Sequence, residues 1–156
     1  MKYLNRQRFV KSQISKPHIT TNVNENNANL SFIELEMKNT SLQTIQEGFI
    51  VKLDENEENA VTLFPKYSPY QIHPFGIAKT EGKTNELVQV ITTGIINIQM
   101  DQNKVNIGDF LYNSATPGLA TAHNDAFTGV IGRALSAKSS GGLGTVRAIV
   151  GFLGYY

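Results

Sequence analysis

The sequence predicts an all-β protein: a compact β-barrel or sandwich of short antiparallel strands, preceded by an extended N-terminal arm. Three observations support this fold class. Turn residues recur about every 8 to 12 positions, the strand spacing of sandwiches and barrels. Apolar and polar residues alternate in several segments, whereas no stretch keeps a helical apolar period over roughly three turns. Bases are concentrated near the N-terminus, ahead of the first alternating segment.

The composition limits the class of protein. The chain has 156 residues, enough for one domain with an arm, and its lack of cysteine excludes disulfides and thiolate metal sites. Its three histidines lie far apart in sequence, so we expect no metal and no cofactor. Apolar runs are much shorter than a membrane span and no signal-peptide core is visible, so we expect a soluble protein with no membrane partner.

The N-terminal segment is basic and predicts a docking arm. Residues 1–20 carry five bases and no acid, whereas residues 21–70 carry eight acids and three bases. We expect residues 1–29 to form the arm and residues 30–156 the β-barrel domain. Apolar anchors among the bases favour docking over an ordinary frayed terminus. The absence of an RNA-binding aromatic platform favours a protein partner over nucleic acid. The expected arm site comprises Lys2, Tyr3, Leu4, Arg6, Arg8, Phe9, Val10, Lys11 and Lys16.

The next segments predict three strands in a meander. "NLSFIELEMK" alternates with one irregularity, which favours a strand over a helix. "GFIVKL" and "AVTLF" follow as two further strands, joined by the acidic turn "DENEEN". Adjacent carboxylates on one loop are not held apart across a cleft and lack EF-hand spacing. We therefore interpret this turn as a solvated hairpin tip, not a glycosidase or calcium site.

The segment "PKYSPYQIHPFG", residues 65–76, is rich in proline and aromatic residues. Three prolines exclude a regular helix or a central strand. We expect this segment to wrap a barrel edge, to cap the core or to contact a neighbouring molecule.

The second half predicts more regular strands. "ELVQVITTGIINIQM" is either two strands that meet at Gly94 or one long strand bent there. "GVIGRALSA" predicts a strand with Gly132 at a position where side-chain bulk is unwelcome, and "SSGGLG" predicts a flexible hairpin loop. The final strand is expected to direct alternate residues inward, namely Val146, Ala148 and Val150. The sequence shows no internal repeat and no heptad seam.

A catalytic triad is the most tempting alternative. Ser114, His123 and either Asp109 or Asp125 lie close together in sequence, but triads are recognised by geometry and no G-x-S-x-G motif surrounds the serine. Turn formation explains the same residues. The glycine-rich loop at 139–144 lacks the Lys-Ser/Thr pair of a phosphate-binding loop. We therefore expect no enzymatic activity.

Residues 104–151 resemble a β-barrel module of tailed-bacteriophage virion proteins. The run "KVNIGDFLYNSATPGLATA … FTGVIGRALSA … GTVRAIVG" gives a strand, a Gly-Asp corner, a second strand, a Pro-Gly turn, "G-V-I-G-x-A-L" and a closing strand. Small capsid decoration proteins and head-fibre bases have this order of elements. The resemblance assigns structural roles in turns and close strand contacts to Gly108, Asp109, Pro117, Gly118 and Gly132. It also implies that Ala134 and Leu135 enter the core.

The resemblance implies a non-enzymatic virion protein. It is expected to be a capsid decoration (cement) or head-fibre protein that binds the outer surface of the major capsid protein. A homotrimer on the capsid exterior, made in the bacterial host cytoplasm, is the implied assembly. The alternative is a tail or baseplate-associated receptor-binding module that would use exposed aromatics such as Tyr67, Tyr70 and Phe75. An enzyme dependent on His123 is a third interpretation.

Overall fold

The computed structural model describes residues 18–23, 29–64, 74–126 and 128–151. These residues form ten strands and no helix, so the all-β prediction is confirmed. The strands are β1 (His18–Val23), β2 (Asn29–Asn39), β3 (Ile50–Leu53), β4 (Ala60–Thr62), β5 (Gly76–Ala78), β6 (Leu87–Met100), β7 (Phe110–Asn113), β8 (Ala120–His123), β9 (Gly132–Ala134) and β10 (Gly144–Val150). The described residues therefore include no helix that could span a membrane.

Strand β6 organises the fold because two closed circuits of paired strands share it. Its N-terminal half pairs with β2 and β5 and closes the circuit β2-β4-β3-β5-β6, which we call the first lobe. Its C-terminal half pairs with β10 and, at Met100, with β8, closing the circuit β6-β10-β9-β7-β8, the second lobe. Of the two alternatives left open by the sequence, the structure has one long strand. Gly94 lies within it at φ 141°, a conformation that favours glycine.

Buried apolar side chains form two clusters that meet between the lobes. One cluster fills the first lobe and contains Val51, Val61 and Val90. The other fills the second lobe but also takes Ile50 and Ile77 from first-lobe strands. The lobes therefore share apolar packing as well as β6.

The two lobes repeat one pattern of backbone hydrogen bonds. In each, an isolated bridge precedes a corner glycine by three residues. The bridges are Ile45 with Gly82 and Val105 with Lys138. The corner glycines, Gly48 and Gly108, have φ angles of 86° and 91°. This repeat is one of backbone geometry, and the sequence shows no corresponding repeat of residues. Main-chain atoms carry this repeat, and most residue types can supply them.

The prediction that β2, β3 and β4 form a meander in the first lobe is wrong. Strands β3 and β4 form the expected hairpin, but β4 lies beside β2 and pairs parallel to it, with Lys38 opposite Ala60. The connection from β2 to β3 contains Ile45, which forms an isolated bridge with Gly82. Strand β3 therefore begins at a position that is not beside β2. Period-two alternation predicts which residues face inward, but it does not identify the neighbouring strand.

Strand β1 pairs antiparallel with β2, from His18 opposite Glu34 to Val23 opposite Asn29. This strand lies within residues 1–29, the segment expected to form the arm, and β2 supplies its backbone hydrogen-bond partners. The predicted irregularity of β2 is confirmed by a register shift at Ile33. Residues 1–17 and 65–73 lie outside the described residues.

Candidate interaction surface

Alternation along β10 gives the second lobe an outer face. The predicted inward residues Val146, Ala148 and Val150 are all buried, which confirms that prediction. The residues between them point outward because successive strand residues face opposite sides of a sheet. Arg147 and Ile149 are accordingly exposed.

A row of opposed residues crosses all five strands of the second lobe on this outer side. Ile95 lies opposite Ile149, which in turn lies opposite Arg133. Arg133 also lies opposite Phe110, and Phe110 lies opposite His123. Directly opposed residues share one face of a sheet. The row therefore combines apolar, aromatic and cationic side chains in one line.

Two further side chains extend this surface. Leu135 donates its N–H to the carbonyl of Arg147 at 2.7 Å, and both side chains are exposed. We use the term β10 face for the residues that project together here: Ile95, Phe110, Arg133, Leu135, Arg147 and Ile149. Leu135 was expected in the core. Its neighbour Ala134, which was also expected there, is buried, and adjacent residues on an extended chain cannot both point inward.

Arg133 is fixed in position by the corner that precedes β7. Its Nε and Nη2 atoms donate to the carbonyl of Gly108 at 3.1 and 2.9 Å, and its guanidinium carbon lies 4.6 Å from the centroid of the Phe110 ring. A cation at this distance is attracted to the ring face. The Asp109 carboxylate accepts the N–H of Asn106 at 2.8 Å and so closes the same corner. The predicted Gly-Asp pair therefore organises the edge of the β10 face.

Gly132 allows β9 to approach β10 closely. A Cβ atom at this position would lie closer than 3.0 Å to the carbonyl oxygen of Ile149. That contact would be with backbone, which cannot move aside as a flexible side chain can. Strand β9, which carries Arg133, therefore depends on the absence of a side chain here.

The Pro117-Gly118 turn joins the lobes. Leu119 donates its N–H to Thr116 O at 3.1 Å across the turn, and Gly118 has φ 87°. The Gly118 carbonyl accepts the N–H of Ile50 at 2.9 Å, where β3 begins. This turn lies at one end of the β7–β8 hairpin, while the Phe110 and His123 pair lies at the other end.

The lobes differ in charge. Described residues 32–64 and 74–100 carry nine acids and four bases, a net charge of −5, whereas residues 101–126 and 128–151 carry three acids and four bases, a net charge of +1. Much of the first lobe's negative charge lies on the β3–β4 hairpin tip, residues 54–58. The two lobes therefore present surfaces of opposite character.

The hairpin tip is ordered by one carboxylate. Asp54 accepts the hydroxyl of Thr40 at 2.6 Å and the N–H of Asn56 at 2.9 Å. These hydrogen bonds lower the pKa of Asp54 below its ordinary value; the Thr40 hydroxyl has the larger effect and the backbone N–H of Asn56 the smaller one. Glu57 pairs with Lys38 at 2.6 Å. These contacts hold the acidic hairpin tip in place against the end of β2.

The side chains considered for catalysis do not form a triad. Ser114 follows the end of β7 at which Asn113 lies opposite Ala120, whereas His123 lies at the other end of the hairpin. Four residues of strand separate them, about 13 Å. The Ser114 hydroxyl exchanges hydrogen bonds with the backbone of Thr116 at 3.0 and 3.2 Å. The described residues therefore contain no Ser114–His123 nucleophile and base pair.

The remaining candidate sites are a metal site, the receptor-binding aromatics and the N-terminal arm. No cluster of three or more potential metal-binding side chains occurs in the part of the chain that the structure describes. Phe75, one of the aromatics considered for receptor binding, packs partly buried against the first-lobe core. Tyr67, Tyr70 and the arm residues Lys2, Tyr3, Leu4, Arg6, Arg8, Phe9, Val10, Lys11 and Lys16 lie outside the described residues.

Sequence reasoning missed Arg133, Phe110 and Ile149 as surface residues that act together. The available signal was the strict alternation of "TVRAIV", which assigns Thr145, Arg147 and Ile149 to the side opposite the core. Their pairing with β7 and β9 required the fold.

Known proteins resemble this chain in family and in fold. The profile of the phage cement protein family matches residues 32–150. No curated protein matches the chain. Among solved structures, it is similar to the head fiber gp8.5 N base of bacteriophage phi29, with 16% sequence identity and a TM-score of 0.53. That match covers 76% of this chain and 93% of the phi29 chain. At this identity the likeness concerns the fold.

The family match runs from β2 to β10 and so includes both lobes. The resemblance to capsid decoration and head-fibre proteins that began from residues 104–151 is thereby confirmed over most of the chain. Proteins of this kind are capsid-associated structural components of the phage virion. The chain belongs to the phage cement protein family.

Proposed function

We propose that this protein is a capsid decoration (cement) protein that binds the outer surface of the major capsid protein and has no catalytic activity. The observation that carries the proposal is the family match across both lobes, residues 32–150. The fold shared with a phage head-fibre base supports the same location. A protein that binds assembled capsomers and not dissociated ones stabilises the shell by mass action, and it opposes the pressure of packaged DNA.

Residues 1–29 form the capsid anchor in this proposal. Their bases Lys2, Arg6, Arg8, Lys11 and Lys16 are attracted to an acidic patch on the capsid, while Tyr3, Leu4, Phe9 and Val10 contribute apolar contact. The negative charge of the first lobe supports binding through the arm, because like charges disfavour docking of that lobe on the same acidic patch. The barrel domain then lies outward from the shell.

The assembled form is a homotrimer on the exterior of the virion, made in the host cytoplasm before it joins the capsid. Multiple arms on one trimer would raise the overall affinity for the capsid, because binding of the first arm places the others near their sites. Neither nucleic acid nor a membrane takes part in this binding.

Deletion of residues 2–16 tests the anchor. The full chain and the deleted chain are each sedimented with purified capsids that lack this protein. We expect the deletion to lower the bound fraction at least tenfold while circular dichroism still shows a folded β protein. A Lys83→Gln, Lys104→Gln variant removes two exposed bases from the domain and is the matched control; it should bind as the full chain does.

Binding of the full chain should weaken at high salt, because salt screens exposed charges. If the deleted chain pellets as well as the full chain, the arm is not the anchor, although capsid binding itself stands. If no variant pellets with capsids, the capsid assignment is wrong.

A further inference from the structure

The β10 face is an exposed surface of mixed apolar and cationic character. Ile149 in β10 is 39% exposed, and Leu135, which directly follows β9, is 42% exposed. Arg133 and Arg147 lie between them, and none of the six residues of the face is acidic. The Arg147 guanidinium forms no ion pair or hydrogen bond with any other described residue. Exposed apolar side chains next to an arginine that has no described partner are typical of protein contact sites.

We propose that the β10 face receives the acidic β3–β4 hairpin tip of a second copy of this chain. The tip has the complementary chemistry. Glu55 and Glu58 are exposed and form no ion pair with other described residues, and Leu53 beside them is 46% exposed. Carboxylates and arginines form strong, geometrically specific hydrogen bonds, and the leucine supplies apolar contact to the isoleucine and leucine of the face.

The hairpin tip cannot reach the β10 face of its own chain. Strand β3 begins at the second lobe, where Ile50 bonds Gly118, and the tip starts four residues farther along the strand, about 13 Å away. Gly118 and Phe110 themselves lie at opposite ends of the β7–β8 hairpin. The tip and the face therefore lie on distant parts of one molecule, and any contact between them is intermolecular.

A contact between different patches on identical chains is heterologous. Such contacts form a closed ring when the rotation between neighbours closes. Three copies joined tip to face would give a ring in which each first lobe, with its charge of −5, contacts the cationic face of the next chain. This inference rests on the homo-oligomer of the proposed function and identifies the surfaces that form it.

Reversal of charge on each side tests the pairing. Arg147→Glu changes the exposed arginine that lacks a described partner, and it spares Arg133, which holds the Gly108 corner. Glu55→Arg with Glu58→Arg changes the tip. We expect either change to weaken self-association at least tenfold, measured by sedimentation velocity over a range of protein concentrations. Combination of all three substitutions should restore the oligomer, because opposite charges face each other again.

Lys104→Glu is the matched control, since it reverses an exposed charge on the second lobe away from the β10 face and should leave the oligomer intact. Capsid sedimentation is measured on the same variants. The inference is overturned if the unmodified chain is monomeric, if single-side variants keep the oligomer, or if the combined variant fails to restore it. Loss of capsid binding by an Arg147→Glu protein that remains oligomeric would mean that the capsid occupies the face instead. A monomeric chain that still pellets with capsids would overturn only this inference and not the proposed function.

Discussion

Two buried asparagines should differ in how much stability is lost when each is truncated to alanine. Asn39 is fully buried at the end of β2, and its side-chain nitrogen donates to Gln43 O and Gly82 O, both at 2.9 Å. Its side-chain oxygen accepts the N–H and hydroxyl of Ser41 at 2.8 and 2.5 Å. Asn113 is also buried, at the end of β7, yet neither polar atom of its side chain has a hydrogen-bond partner among the described residues. The two residues thus have the same chemistry but different environments.

The expected magnitudes follow from these contacts. Each hydrogen bond contributes about 1 kcal/mol net, and the partners of Asn39 near the surface can regain water after its loss. Asn39→Ala should therefore lower the free energy of unfolding by about 3 kcal/mol. Asn113→Ala loses no hydrogen bond and removes two unsatisfied buried atoms, which offsets the small cavity it leaves. We expect a change within about 1 kcal/mol of zero for this variant.

Urea unfolding at fixed protein concentration measures both effects. The concentration must be fixed because self-association adds to apparent stability. The chain has six tyrosines and no tryptophan, so tyrosine fluorescence reports the transition without interference. A loss of 3 kcal/mol in Asn113→Ala, or no loss in Asn39→Ala, would refute the assignment of these hydrogen bonds.

Two further predictions concern β9 and the acidic hairpin. Gly132→Ala should lower the free energy of unfolding by about 2 to 3 kcal/mol, because the added Cβ meets the Ile149 carbonyl. Gly142→Ala is the control: no atom lies near its Cβ, so stability should change by less than about 0.5 kcal/mol in the same urea assay. Equal effects of the two substitutions would contradict the close approach of β9 and β10. The lowered pKa of Asp54, caused mainly by the Thr40 hydroxyl, means that the ionised carboxylate stabilises the fold above its ordinary pKa of 3.8 and loses this effect as the pH falls through the folded value. Stability measured from pH 6 to pH 2.5 should therefore fall less steeply below about pH 4 in Thr40→Val, and an unchanged slope would contradict the role of this hydroxyl.

Local features of the fold were predictable from the sequence. The alternation around Val146 and Val150 predicted which residues are buried, because side-chain direction in a strand depends only on neighbouring residues. Turn residues located the corners at Gly108 and Gly118 for the same reason. The parallel pairing of β2 with β4 was not predictable, since it joins segments that approach only after the connection through Ile45 has formed.

The candidate surface shows a similar division. Alternation in "TVRAIV" places Ile149 on the outer side, but only the pairing of β9 with β7 and β10 places it in one row with Arg133 and Phe110. The repeat between the lobes was not predictable from the sequence because it consists of backbone hydrogen bonds. The docking role of residues 1–29 stays a prediction.

A cryo-electron microscopy map of the virion that carries this protein tests its function most directly. The account predicts density for the two-lobed domain on the outer surface of the capsid, in threefold clusters, with each N-terminal segment directed toward the major capsid protein. Density for the domain on the tail or baseplate, and none on the capsid, would contradict it.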